Sequence, residues 1–198
     1  MPWSEILRRL PRVCLGLVLF GFGVAMMVAA DMGLGPWDVF HQGLSRLTGI
    51  TIGPIIIGVG LIILLGFLPL REKVGVGTIL NALLIGSTVD VTLPYLAGVE
   101  STWARAALMI GGPVMIAIGS GLYIGGGLGP GPRDGIMTGL AKRGIRISRA
   151  RTGIELTVLA AGLALGGTLG VGTLWFAVGI GPMVGYFLPR LTMDERKP

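Results

Sequence analysis

The sequence predicts an all-α membrane protein: six transmembrane helices arranged as two inverted three-helix repeats. Three observations carry that class. Of 198 residues, 52% are apolar and only 13% charged, and the mean hydropathy is +0.81. A soluble domain of this length needs more polar residues to cover its surface, whereas lipid removes that need and membrane helices tolerate the 36 glycines. Six apolar stretches, each near the ~20 residues that cross a hydrocarbon layer, punctuate the chain. Finally, the second half repeats the first.

The expected spans are 11–31, 52–70, 74–97, 105–126, 150–168 and 170–190. The first follows Arg8, Arg9 and Arg12 and ends in Val-Ala-Ala-Asp, small residues that would suit a signal-peptide cleavage. Its length and its internal counterpart make it a retained helix. "REK" separates the second and third spans and "GGTLGVGT" the fifth and sixth, so both pairs read as tight hairpins. With a cytoplasmic N-terminus, the inner segments hold Arg8, Arg9, Arg12, Arg71, Lys73, Arg133, Lys142, Arg143, Arg146, Arg149, Arg151, Arg190, Arg196 and Lys197, and the outer ones only Arg46 and Arg105. That bias places both termini in the cytoplasm after an even number of crossings. The net charge of +6 is therefore an orientation signal, and no nucleic-acid motif accompanies it. Cys14, the only cysteine, can form no internal disulfide and reads as a packing residue.

Sliding the chain by 95 residues sets "VGVGTILNALLIGSTVDVTLPYL" (74–96) over "LGVGTLWFAVGIGPMVGYFLPRL" (169–191), with 11 of 23 positions identical. A slide of 94 sets Gly33-Leu34-Gly35-Pro36 over Gly127-Leu128-Gly129-Pro130, and two inserted residues then align Asp38 with Asp134 and Gly43 with Gly139. The repeats are residues 1–98 and 99–198. Three spans per copy is an odd number, so the second copy enters the membrane from the opposite side, about an axis in the membrane plane. The motifs "GLGPWDVFHQGLS", "GLGPGPRDGIMTGL" and "GVGT" resemble the YczE/YyaS/YitT-type group of small bacterial membrane proteins, over nearly the whole chain. The resemblance implies a multi-pass protein of the bacterial cytoplasmic (inner) membrane and brings no established catalytic or binding residues.

Each GLGP motif reads as a helix break: Gly33, Gly35 and Pro36 in copy one, Gly127, Gly129 and Pro130 in copy two. The short amphipathic helix that follows carries Asp38 or Asp134 in its first turn, where a carboxylate meets the positive end of the dipole. In copy one Trp37, Phe40, Leu44 and Leu47 form the apolar face and Asp38, His41, Gln42, Ser45 and Arg46 the polar one. Neither helix is long enough to span. Each lies on the surface, its polar face toward headgroups, or re-enters the membrane and lines a solute site.

The candidate pathway residues are Asp90, Asp38, His41, Asn81, Asp134, Arg133 and Glu155. Asp90, deep in the third span, is a proton carrier or a counter-charge, or else an interfacial acid paired with Arg46 or Arg105. Glu155 follows Arg151 by four residues and forms an ion pair with it or acts as an inner gate. His41 relays protons or is merely solvated; Arg133 clamps an anion or obeys the inside bias. Thr78 and Thr173 return their hydroxyls to their own helices, and Trp3, Trp37, Trp103 and Tyr123 form an aromatic belt. Glycines such as Gly16, Gly21, Gly23, Gly58, Gly60, Gly112, Gly119 and Gly121 allow close helix approach.

No HExxH, Cys/His cluster, Ser/His/Asp set or phosphate loop is present, so the chain is expected not to be an enzyme and to need no cofactor and no metal. The expected function is a secondary transporter or channel for a small solute or ion, with proton coupling as one form. The alternative is a non-transporting scaffold or regulator whose basic inner loop docks a cytosolic partner or anionic lipid. The expected partners are the lipid bilayer, a small solute or ion, no nucleic acid, and a second copy in a homodimer, since six short spans are few to enclose a pathway.

Overall fold

The computed structural model describes residues 1–96 and 98–193, which hold helices and connecting turns and no strand. Arg196 and Lys197, and the last residue of the expected 74–97 span, lie outside the described residues. The helices are α1 (Trp3–Ala30), α2 (Pro36–Thr48), α3 (Ile52–Leu65), α4 (Phe67–Leu70), α5 (Val76–Leu96), α6 (Thr102–Gly125), α7 (Pro132–Ala141), α8 (Ile147–Ala164) and α9 (Val171–Leu191). α1 begins well before the apolar stretch because Glu5 pairs along the helix with Arg8 and Arg9 at 2.7 and 2.6 Å. α3 and α4 are the expected second span, divided at Gly66.

Among the described residues, five helical segments are long and apolar enough to cross a membrane: α1, α3 with α4, α5, α6 and α9. The expected span 150–168 is not among them. Its helix, α8, carries Arg149, Arg151 and Glu155 in its first turns, and the purely apolar remainder is too short to cross alone.

α1 and α6 form the centre and cross antiparallel. Gly16 meets Gly119, and Gly23 meets Gly112; a Cβ on Gly23 would lie 2.5 Å from the Gly112 carbonyl oxygen. Glycine pairs let the backbones touch, so contact is made along the whole crossing. At one end Arg105 donates to the Ala30 carbonyl at 2.8 Å; at the other Arg9 donates to the Gly126 carbonyl at 3.2 Å. At 1.5 Å per residue, the chain breaks after α1 and after α6 therefore lie about 30 Å apart, at opposite ends of the pair.

α5 flanks α1 and α9 flanks α6. α3 lies along α5, with Gly86 against Gly53 and Ile57. α8 instead packs on α2 and α7 and scarcely touches α9, and Gly181, the counterpart of Gly86 in the 95-residue slide, faces open space.

The two breaks are built alike. Gly33 (φ +106°) and Gly129 (φ +120°) take the left-handed conformation that favours glycine. The Gly172 N–H donates to the Met32 carbonyl at 2.7 Å, and the Gly77 N–H to the Leu128 carbonyl at 2.8 Å, so each break rests on the start of the third long helix in the other half. The counterpart of Gly33–Pro36 is thus 129–132, not the expected 127–130: α7 starts at Pro132 after Gly131, and Pro130 lies in the turn. The two extra residues are absorbed before the break, where α6 ends and Gly126 and Gly127 turn the chain.

Candidate functional site

The starts of α2 and α7 meet. Arg133 Nη2 lies 3.7 Å from Asp38 Oδ1, and the Arg133 guanidinium stands 5.0 Å from the Trp37 ring centre. Since the two breaks are about 30 Å apart, each chain must turn back from its own end toward the middle for this contact to form. Around the meeting point is a cavity of about 150 Å³, lined by residues 35–38, Gly131, Arg133 and Asp134 together with Asn81, Tyr123, Arg151, Glu155 and Phe176. It has room for several waters or a small solute. A second cavity of about 20 Å³, lined by His41, Asn81, Ile85 and Arg133 among others, adjoins it.

α2 is inverted relative to a surface helix: Asp38, His41 and Gln42 are buried, while Leu47 is 66% exposed. Gln42 Oε1 accepts from the Thr168 N–H at 2.7 Å. His41 has no exposed surface, and its Nδ1 lies 3.4 Å from Asp38 Oδ1. Burial lowers the imidazole's affinity for a proton; Asp38 opposes that pull and Arg133 adds to it. Asp38 Oδ1, both His41 ring nitrogens and Trp37 Nε1 are buried without hydrogen-bond partners. Four such atoms lie on three residues of one helix, and buried polar groups of this kind call for an explanation.

Of the seven residues expected from sequence, Asp38, Asn81, Arg133, Asp134 and Glu155 line the larger cavity, and His41 lines the smaller. Asp90 lines neither; it is partly buried at the α3–α5 contact, against Gly53. Nor do the outer arginines pair with it: Arg46 donates to the Gly166 carbonyl, and Arg105 to the Ala30 and Asp31 carbonyls at 2.8 and 3.0 Å. Glu155 forms the expected pair with Arg151, at 2.9 Å. Much of the basic segment 133–151 is bonded within the chain. Lys142 pairs with Glu72 at 2.8 Å, and Arg143 donates to the carbonyls of Leu70 at 3.1 Å, of Gly139 at 3.2 Å and of Pro69.

Sequence reasoning misassigned two aromatics. Trp3 and Trp103 are 74% and 87% exposed, as belt residues should be. Trp37 instead lines the cavity, and Tyr123 is buried, its hydroxyl donating to Asp134 Oδ2 at 2.7 Å. The signal for Tyr123 was its departure from the repeat, because Met27 stands 96 residues earlier. Thr78 and Thr173 also differ: each accepts from a backbone N–H three residues before it, of Gly75 at 3.1 Å and Gly170 at 3.3 Å, instead of donating to its own helix.

A family model described as "Family of unknown function (DUF6198)" matches residues 7–189. The chain is similar to the Bacillus subtilis protein named "Uncharacterized membrane protein YczE", 35% identical over 88% of this chain and 83% of that one. It is similar to a Haemophilus influenzae protein named "Uncharacterized protein", 32% identical over 94% of this chain and 86% of that one. Bacillus subtilis "Uncharacterized protein YyaS" is 26% identical over 88% of this chain and 90% of that one. No solved structure matches.

Proposed function

The chain belongs to the DUF6198 family and is a multi-pass membrane protein, and from that premise we propose a secondary transporter for a small solute or ion. The reading is carried by one observation: two short helices, from breaks at opposite ends of α1 and α6, bring their N-termini to a common cavity. Irregular backbone persists at membrane depth where protein buries it or a cavity is lined by it, and inverted repeats with broken helices build solute sites in this way.

Inversion of the halves accounts for the paired contacts. Gly16 on Gly119 and Gly112 on Gly23 are one contact seen twice if positions 96 residues apart exchange. The Gly172–Met32 and Gly77–Leu128 hydrogen bonds are related in the same way, with a separation of 96 residues between Met32 and Leu128 and of 95 between Gly77 and Gly172. In this reading α8 is the sixth crossing, its Arg151–Glu155 pair facing the cavity, and α2 and α7 are re-entrant. Transport rather than a permanent channel is favoured by asymmetry: α3 is closed on α5 while α8 stands off from α9, so the two halves hold equivalent helices in different arrangements. The scaffold reading ranks second because Lys142 and Arg143 are engaged within the chain.

Purified protein in liposomes, challenged with gradients of small salts and neutral solutes, tests the proposal. Flux of at least one solute should exceed that of protein-free vesicles and fall to their level in Arg133→Gln, while Asp90→Asn retains it. Absence of any such flux, or flux indifferent to Arg133→Gln, removes the transporter reading.

A further inference from the structure

The unpartnered atoms around His41 are not explained by a cavity that merely admits a solute. One carboxylate oxygen, Asp38 Oδ1, faces two cations at once: Arg133 Nη2 at 3.7 Å and, when protonated, His41 Nδ1 at 3.4 Å. It is hydrogen-bonded to neither. Arg133 belongs to both cavities and Asp38 lines the larger one beside it, so an anion in the larger cavity competes with Asp38 for the guanidinium and draws it from the space beside His41.

The free donor capacity at the larger cavity favours an acceptor: Arg133, which lines it, holds only a loose ion pair with Asp38 at 3.7 Å. The acids nearby are already engaged: Glu155 with Arg151 at 2.9 Å and Asp134 with the Tyr123 hydroxyl at 2.7 Å. Asp38 and Asp134 sit in the first turns of α2 and α7, where they offset the positive ends of those helices. Arg133, whose charge is permanent, has its counter-ion Asp38 no nearer than 3.7 Å. A small anion fits it.

Resting on the transporter reading, we propose that Asp38, His41 and Arg133 form a coupling site that binds a small anion and a proton together. The anion draws Arg133 into the larger cavity. Asp38 is then left with one cationic partner available, the imidazolium of His41, and a proton taken from bulk water settles on Nδ1. No covalent bond is made or broken. The groups around His41 bear on this choice in few ways: α3 and α5 contribute Ile56, Gly60, Asn81, Ala82 and Ile85 to the small cavity, none of them titratable. The single charge there from α7 is Arg133, and α8, packed on α2, places Arg151 and Glu155 on the larger cavity, where they pair with each other. By linkage the effect is reciprocal, so acid tightens anion binding and anion raises the pH at which His41 titrates.

His41 is the chain's only histidine, so its imidazole signal in nuclear magnetic resonance, recorded on tag-free protein in lipid nanodiscs, can be followed without assignment. Chloride, formate, acetate and phosphate are added in turn to wild type and to Arg133→Gln. At least one anion should raise the wild-type midpoint by about one pH unit, the scale set by a full charge at this range. Without any anion, Arg133→Gln should start from the raised midpoint and no longer respond, and the isosteric Asp38→Asn should titrate lower than wild type. A wild-type midpoint that none of the four anions moves, or a response that survives in Arg133→Gln, overturns the inference. Liposome flux separates the two claims: coupling seen by resonance with no flux of that anion removes transport and leaves the site standing, whereas flux without the coupled shift does the reverse.

Discussion

At the scale of single residues, the organising fact is that polar side chains face inward and find only some of their partners. Tyr123 gives Asp134 its donor; Tyr123→Phe leaves that carboxylate oxygen unmatched in a part-buried site and should cost about 1–3 kcal/mol, measured as lowered stability to denaturant in detergent micelles. An unchanged midpoint would mean that water supplies the missing donor. The sequence singles out Asp38 by its place in a first helical turn, His41 by an imidazole that titrates near neutral pH and Arg133 as a clamp for an anion at a helix start. Their arrangement around one oxygen was not readable there, since Asp38 and Arg133 are 95 positions apart and meet through folding. Asp90 illustrates the converse. Depth along a helix suggested function, but the face it occupies turns toward α3 and Gly53.

At the scale of helices, glycine decides who touches whom. Gly119→Leu would force a side chain into the α1 backbone, where even a Cβ would stand 2.5 Å from the Gly16 carbonyl oxygen. We expect a loss of at least about 1–3 kcal/mol and a much reduced yield of monodisperse protein. Gly181→Ala, at a position facing open space, should stay within about 0.5 kcal/mol of wild type. Equal effects at the two sites would show that α1 and α6 do not cross as described. Both helices were legible as spans from composition; which of their glycines mattered was not, because glycine is plentiful everywhere in the chain. α8 falls short of a fully apolar span for a local reason. Arg149, Arg151 and Glu155 shorten its apolar run, and Arg151 and Glu155 are held beside a cavity.

At the scale of the whole molecule, the proposed inversion makes a geometric demand. With Cys14 replaced by Ser, cysteines introduced at Thr48 and Gly144, both exposed and beyond the ends of the short helices' inward starts, should react with a membrane-impermeant maleimide from opposite sides of the bilayer. Labelling of both from one side would make the halves parallel and break the account of the cavity. The sequence by itself determined the membrane class, the long apolar helices and the two glycine-proline interruptions, because hydropathy and backbone conformational limits act over a few neighbouring residues. Only the tertiary structure decided that the polar face of α2 turns inward, that the copy-two break is 129–132, and that Asp38, Arg133 and Tyr123 share one cavity while Asp90 does not. Those outcomes depend on which helix lies against which, and that is settled by contacts between segments nearly a hundred residues apart, where no local pattern in the chain records the distance.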